Sequence, residues 1–108
     1  MVLDIWKLTE QNQALAENLH KDLQSVMDPE LGMNIIQLGL VRNVELKEDH
    51  ALVTMILTTP FCPYAPQLME ACRSQAEETL GMTTKIEMGR EIWDRSLMEE
   101  DAVDWGLY

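Results

Sequence analysis

The sequence predicts an α/β (α+β) two-layer domain ordered helix, hairpin, helix, strand, helix. In it, a three-stranded mixed sheet carries helices packed mainly on one face. Three observations predict this. Leu15, Leu19, Leu23 and Val26 recur at helical spacing. Two strand-like runs, "LGLVRNVELK" and "ALVTMILTT", flank a polar turn from Glu48 to His50. Leu68, Cys72 and Ala76 mark a second helix, and the alternating stretch "TTKIEMGR" follows it. With 108 residues and 46% hydrophobic content, one domain spanning 1–108 around a single core is expected.

Each element has a local reason. In the first helix Thr9 is the candidate N-cap and Glu10 suits the first turn. Pro29 pushes Asp28 out of the helical region, so the helix is expected to stop near Met27. "DPELGMN" then reads as a solvated acidic loop, with Gly32 free to take an unusual backbone angle. The first strand carries Leu40, Val44 and Leu46 on one face, with Arg42 and Glu45 among the polar positions between them. In the second strand Val53, Met55 and Leu57 form one face. Leu52, Thr54, Ile56 and Thr58 form the other, which is apolar enough to need partial cover. The second helix runs from about Pro63, or from Pro66 in its regular part, to Gly81, a good C-terminal cap residue. Ile86 and Met88 alternate in the third strand, and Ser96 with Glu99 forms a capping box that predicts a short third helix.

Charge narrows the partners. Nineteen acidic residues against eight Lys and Arg give a net charge of -11, which repels phosphate backbones and anionic lipid. Neither nucleic acid nor membrane is an expected partner. No basic leader precedes a long apolar core, so a cytoplasmic protein is expected. The two cysteines, Cys62 and Cys72, do not suggest a disulfide framework. On one helix, ten residues would set them about 15 Å apart, beyond the roughly 7 Å that a disulfide spans between Cα atoms.

Cys62 is the sharpest chemical feature. It lies in "TTPFCPYAP", where prolines deny ordinary ladder bonding between a strand end and a helix start. Nearby helix N–H groups favour a thiolate, and hence metal ligation or nucleophilic attack. Packing as a small apolar residue is the alternative. Cys72 shares the apolar stripe of its helix and reads as core. Thr58 and Thr59 are ordinary strand-end residues whose hydroxyls lie within a few residues of Cys62. Asp28 and Glu30 bracket Pro29, a common turn opener. His20 and His50 have no ligand-like spacing with a cysteine and read as solvated surface residues. The methionines at strand and helix positions read as core filler.

Taken together, "DPELGMNIIQLGLV" at 28–41, "LTTPFCP" at 57–63, and Trp93 and Met98 in a tail running to Gly106 resemble the iron–sulfur cluster assembly domain family. That family includes SufT-like and PaaD-like proteins and was formerly a domain of unknown function. The resemblance covers nearly the whole chain and implies a non-catalytic role in iron–sulfur protein maturation, by assembling, carrying or inserting clusters. It implies Asp28, Glu30, Thr58 and Cys62 as motif residues, with Cys62 the ligand of a transiently bound Fe-S cluster or iron. Thr59 stands beside them as a candidate binding residue. Leu38-Gly39-Leu40 fits the family's approach to the first strand, a structural job. The tail departs from the family pattern, reading "REIWDRSLM" where prolines often surround the tryptophan, and Pro66 is also less usual.

Clusters are generally held by about four cysteine sulfurs. One exposed thiol therefore implies donors from a second subunit, making a homodimer, from a client, or from small thiols. The expected partners are the iron–sulfur assembly machinery and client apoproteins. Two other functions compete. A thiol-dependent enzyme would use Cys62 as nucleophile with Asp28 or Glu30 assisting, but it lacks the histidine base such sites commonly use. A non-enzymatic acidic adaptor would dock a scaffold through a patch at Glu99–Asp101.

Overall fold

A computed structural model describes residues 2–59 and 63–99. The first helical stretch is not continuous. It divides into α1 (Lys7–Gln11) and α2 (Gln13–Asp22), with one turn of 3-10 helix at Leu23–Ser25. Asn12 divides them. Its backbone is extended, at φ -162°, and its side chain accepts a hydrogen bond from the Leu15 N–H at 3.1 Å. A short polar side chain that competes for backbone donors favours a cap over a helix interior. Thr9 is thus not the N-cap: it lies inside α1, and its hydroxyl donates to the Leu3 carbonyl.

The segment expected to be a plain loop is a small antiparallel pair, β1 (Met27–Asp28) and β2 (Met33–Asn34), registered Met27 to Asn34 and Asp28 to Met33. Gly32, at φ 68°, makes its turn possible. The main sheet has the order β3 (Val41–Leu46), β4 (Ala51–Met55), β5 (Thr84–Met88). β3 and β4 are antiparallel, whereas β5 runs parallel to β4. The parallel step needs a crossover, and α3 (Ala65–Leu80) supplies it. α3 includes Pro66 in its first turn and ends at Gly81, whose left-handed φ of 69° suits a residue without Cβ.

The core follows the predicted stripes with local shifts. Leu19, Leu23, Leu40, Val44, Val53, Met55, Leu68, Cys72 and Ala76 are buried together, whereas Leu15 and Leu46 are only partly buried. Val41 and Val44, three positions apart, are both buried because the register shifts between Val41 and Asn43. A bulge of this kind breaks the strict two-residue alternation. The second face of β4 is partly covered, as its composition requires, but by backbone. A Cβ on Gly89 would stand 2.9 Å from Ile56 Cγ2 and 3.2 Å from Thr54 Cγ2. Ile56, expected on that half-wet face, is buried.

The tail differs most from expectation. Asp94, not Ser96, caps it by accepting from the Ser96 N–H at 2.7 Å, and the capped element is one 3-10 turn at Arg95–Leu97. Glu99 is buried and meets His20 Nε2 at 2.7 Å. It therefore belongs to no exposed acidic patch, and His20 is not a solvated surface residue; Asp101 lies outside the described residues. The Glu99 N–H donates to Gln37 O at 2.8 Å, and the Trp93 indole N–H donates to Leu38 O at 2.6 Å. Gly39, at φ 73°, lies under this strap: an added Cβ would fall 1.9 Å from the Leu97 carbonyl oxygen. Leu38-Gly39-Leu40 is the seat on which the tail rests.

Candidate functional site

The acidic loop is built around Asp28. Burial leaves its side chain 1% exposed, and Oδ1 accepts from the Glu30 N–H at 2.8 Å and the Leu31 N–H at 3.3 Å. Its carbonyl accepts from the Gly32 N–H at 2.9 Å. One carboxylate thus satisfies the donors of a tight turn, as aspartate does in turns of this type. The expected solvated loop is half right: Glu30 and Pro29 are exposed, while Asp28 is a buried organiser. A rigid turn follows. Asn34 and Gln37 trade side-chain acceptors for each other's backbone N–H at 3.2 and 2.8 Å, which fixes the path into Leu38.

Thr58 and Thr59 lie beyond the end of β4 and are partly buried. Cys62 lies outside the described residues. The chain next enters α3 through Pro63 and Tyr64, both exposed, and Tyr64 makes no side-chain cap.

Tertiary structure brings the acidic loop to the start of α3. Val26, Met27 and Pro29 face Tyr64, Leu68 and Gln75 across a groove of about 400 Å³. Pro29 sits between the two motif carboxylates, and Tyr64 follows Cys62 by two positions. A residue of the acidic loop and one just beyond the second motif, far apart in sequence, thus line one surface. Tyr64 was not singled out from the sequence. An aromatic directly after a Cys-Pro step was the signal available.

The second cysteine is closed to chemistry. Cys72 is fully buried on α3, and that burial pushes its thiol up from an ordinary 9.0 to about 12. A thiol held neutral in hydrocarbon is a poor ligand and nucleophile. Among the described residues, no three His, Cys, Asp or Glu side chains gather as a metal site. No helix among them is long and apolar enough to cross a membrane. His50 sits in the turn before β4 and pairs with Asp49 at 2.7 Å, at the strand end opposite Thr58. His20 is engaged with Glu99.

Comparison with known proteins agrees with this architecture. Residues 17–89 match the family model described as "Iron-sulfur cluster assembly protein". Over 90 residues the chain is 37% identical to a Fe-S protein maturation auxiliary factor of Porphyromonas gingivalis, covering 81% of this chain and 86% of that one. Over 66 residues it is 35% identical to an iron-sulfur cluster carrier protein of Synechocystis, covering 61% of this chain but 18% of that longer protein. The crystal structure of a domain of unknown function from Bacillus anthracis superposes with a TM-score of 0.77 at 27% identity. The superposition covers 93% of this chain and 99% of that one.

Proposed function

Because this chain belongs to the iron–sulfur cluster assembly protein family, we propose that it serves iron–sulfur protein maturation as a non-catalytic factor. It helps to assemble, carry or insert clusters through transient ligation by the Cys62 thiolate. The observation that carries this reading is the convergence of the acidic-loop residue Pro29 and the post-cysteine residue Tyr64 on one groove. In this reading the Cys62 thiol, two positions before Tyr64 in the sequence, works with this groove to meet cargo and client together. Cys72, sealed in the core, supports the single-ligand form of the proposal. Since a cluster is generally held by about four thiolates, the remaining donors come from the client, a second copy or small thiols. Partial ligation suits cargo that must leave again.

Asp28 and Glu30 act differently in this scheme. Asp28 positions the loop through its backbone bonds, and exposed Glu30 is the carboxylate available to a partner or to iron. Thr58 and Thr59 offer hydroxyls at the end of β4. The histidines give the competing thiol-attack reading little support. His20 is bound to Glu99, and His50 precedes β4, a strand of about 17 Å, whose far end leads to Thr58.

Anaerobic reconstitution with iron and sulfide tests the ligand. The parent is expected to bind both, Cys62→Ala to lose them, and Cys72→Ala to keep them. Iron and sulfide content in Cys62→Ala equal to the parent's would defeat the assignment. In parallel, iodoacetamide is expected to alkylate Cys62 in the native protein and Cys72 only after denaturation.

A further inference from the structure

β5 is an outer strand, paired with β4 on one side. In a parallel pair, alternate residues direct their N–H and C=O groups toward the neighbour. The Ala51 N–H donates to Thr83 O and the Gly89 N–H to Met55 O, each at 2.8 Å. Odd-numbered residues of β5 therefore face β4, and Thr84, Ile86 and Met88 aim their backbone groups outward. The Thr84 N–H is taken by a Glu77 carboxylate oxygen at 3.1 Å. Among the described residues, nothing takes the N–H of Ile86 or Met88. Met88 is 47% exposed and Ile92, just beyond the strand, is 90% exposed. An open edge with apolar neighbours is a template for another strand.

The sequence of the edge selects the occupant. "TKIEM" has its charges placed symmetrically about Ile86. When two copies run antiparallel with Ile86 opposite Ile86, each Lys85 falls opposite a Glu87 and each Thr84 opposite a Met88. The Ile86 pair then exchanges two N–H···O bonds across the two-fold axis, and the two Lys85–Glu87 contacts join opposite charges on the exposed face. A surface complementary to itself under a two-fold axis is the requirement for a closed dimer. Space is present above the join, where Ala65, Pro66, Met69, Glu70, Arg73 and Ile86 line an open groove of about 440 Å³.

We propose that the β5 edges of two copies of this chain pair antiparallel about a two-fold axis at Ile86, joining two sheets into one. This inference rests on strand geometry and charge, not on Cys62, so its failure leaves the ligand reading standing.

Sedimentation of the full chain from micromolar to millimolar concentration tests it through charge exchange. Lys85→Glu and Glu87→Lys each place like charges opposite one another, and each is expected to raise the dimer dissociation constant by about tenfold or more. The double variant restores the opposite-charge pairs and the dimer, and an equimolar mixture of the two single variants forms a heterodimer. A parent that stays monomeric across the range overturns the proposal. So does a dimer indifferent to both single changes, or a double variant no better than either. Circular dichroism monitors folding, and a second readout needs no variant: Ile86 and Met88 amide exchange in the parent is expected to slow as concentration rises. Exchange independent of concentration overturns the proposal equally.

Discussion

Along β3, α1 meets the outward backbone. The Trp6 indole N–H donates to Val41 O at 2.9 Å, and Gln11 accepts from the Leu46 N–H at 2.8 Å while donating to Leu46 O at 3.0 Å. The Lys7 N–H adds a bond to Asn43 Oδ1 at 2.8 Å. Along β5, Glu77 takes the Thr84 N–H, and the outward N–H groups of Ile86 and Met88 have no partner among the described residues. Among the described residues, one edge of the sheet is thus covered at both ends of its strand and the other is covered only at Thr84. The covered β3 edge depends on the break at Asn12, which lets the five residues of α1 lie against β3 while α2 packs on α3. Proteins commonly cover or blunt edge strands against unwanted pairing. Among the described residues, the β5 edge is the one left for a further strand to pair with.

The largest effect that would break this contrast is expected from Trp6→Ala. It removes a fully buried aromatic and orphans the Val41 carbonyl, and it should cost about 3–5 kcal/mol of stability in urea unfolding. Gln11→Ala strips the two bonds to Leu46 at an exposed site, where a loss of about 1 kcal/mol is expected by the same measurement. Lys85→Ala on the open edge should change the stability of the monomer by less than about 0.5 kcal/mol, because its side chain is exposed. Equal losses for the Gln11 and Lys85 changes would erase the distinction between the edges. Amide exchange sharpens it further: at low protein concentration the Leu46 amide should be protected, whereas those of Ile86 and Met88 exchange faster than those of Lys85 and Glu87, which face β4.

The acidic loop and the tail show how far sequence reasoning reaches. The stripe Leu68, Cys72, Ala76 and the Gly81 cap were readable because a helix face and a left-handed terminus depend on neighbours a few residues away. Asn12 was equally local, yet it was passed over as an interior residue of a longer helix. Asp28 shows the opposite limit. Its type and its place before proline marked a turn, but nothing local revealed that the carboxylate would be buried beneath it. The His20–Glu99 pair spans 79 positions and had no local sign. Ser96 and Glu99 had the spacing of a capping box, but Asp94 held the backbone donor and His20 drew the glutamate inward.

Periodicity, proline and glycine placement, and charge balance determined the layers, the order of the main elements, the core stripe of α3 and the family motifs. These depend on backbone sterics and on the separation of apolar from polar faces within a few turns. Only the tertiary structure decided that Pro29 and Tyr64 share a groove, that Cys72 is sealed, and that among the described residues β5 has a strand partner on one side alone. Each of those outcomes depends on which distant surfaces exclude water from one another, and local spacing does not encode that choice.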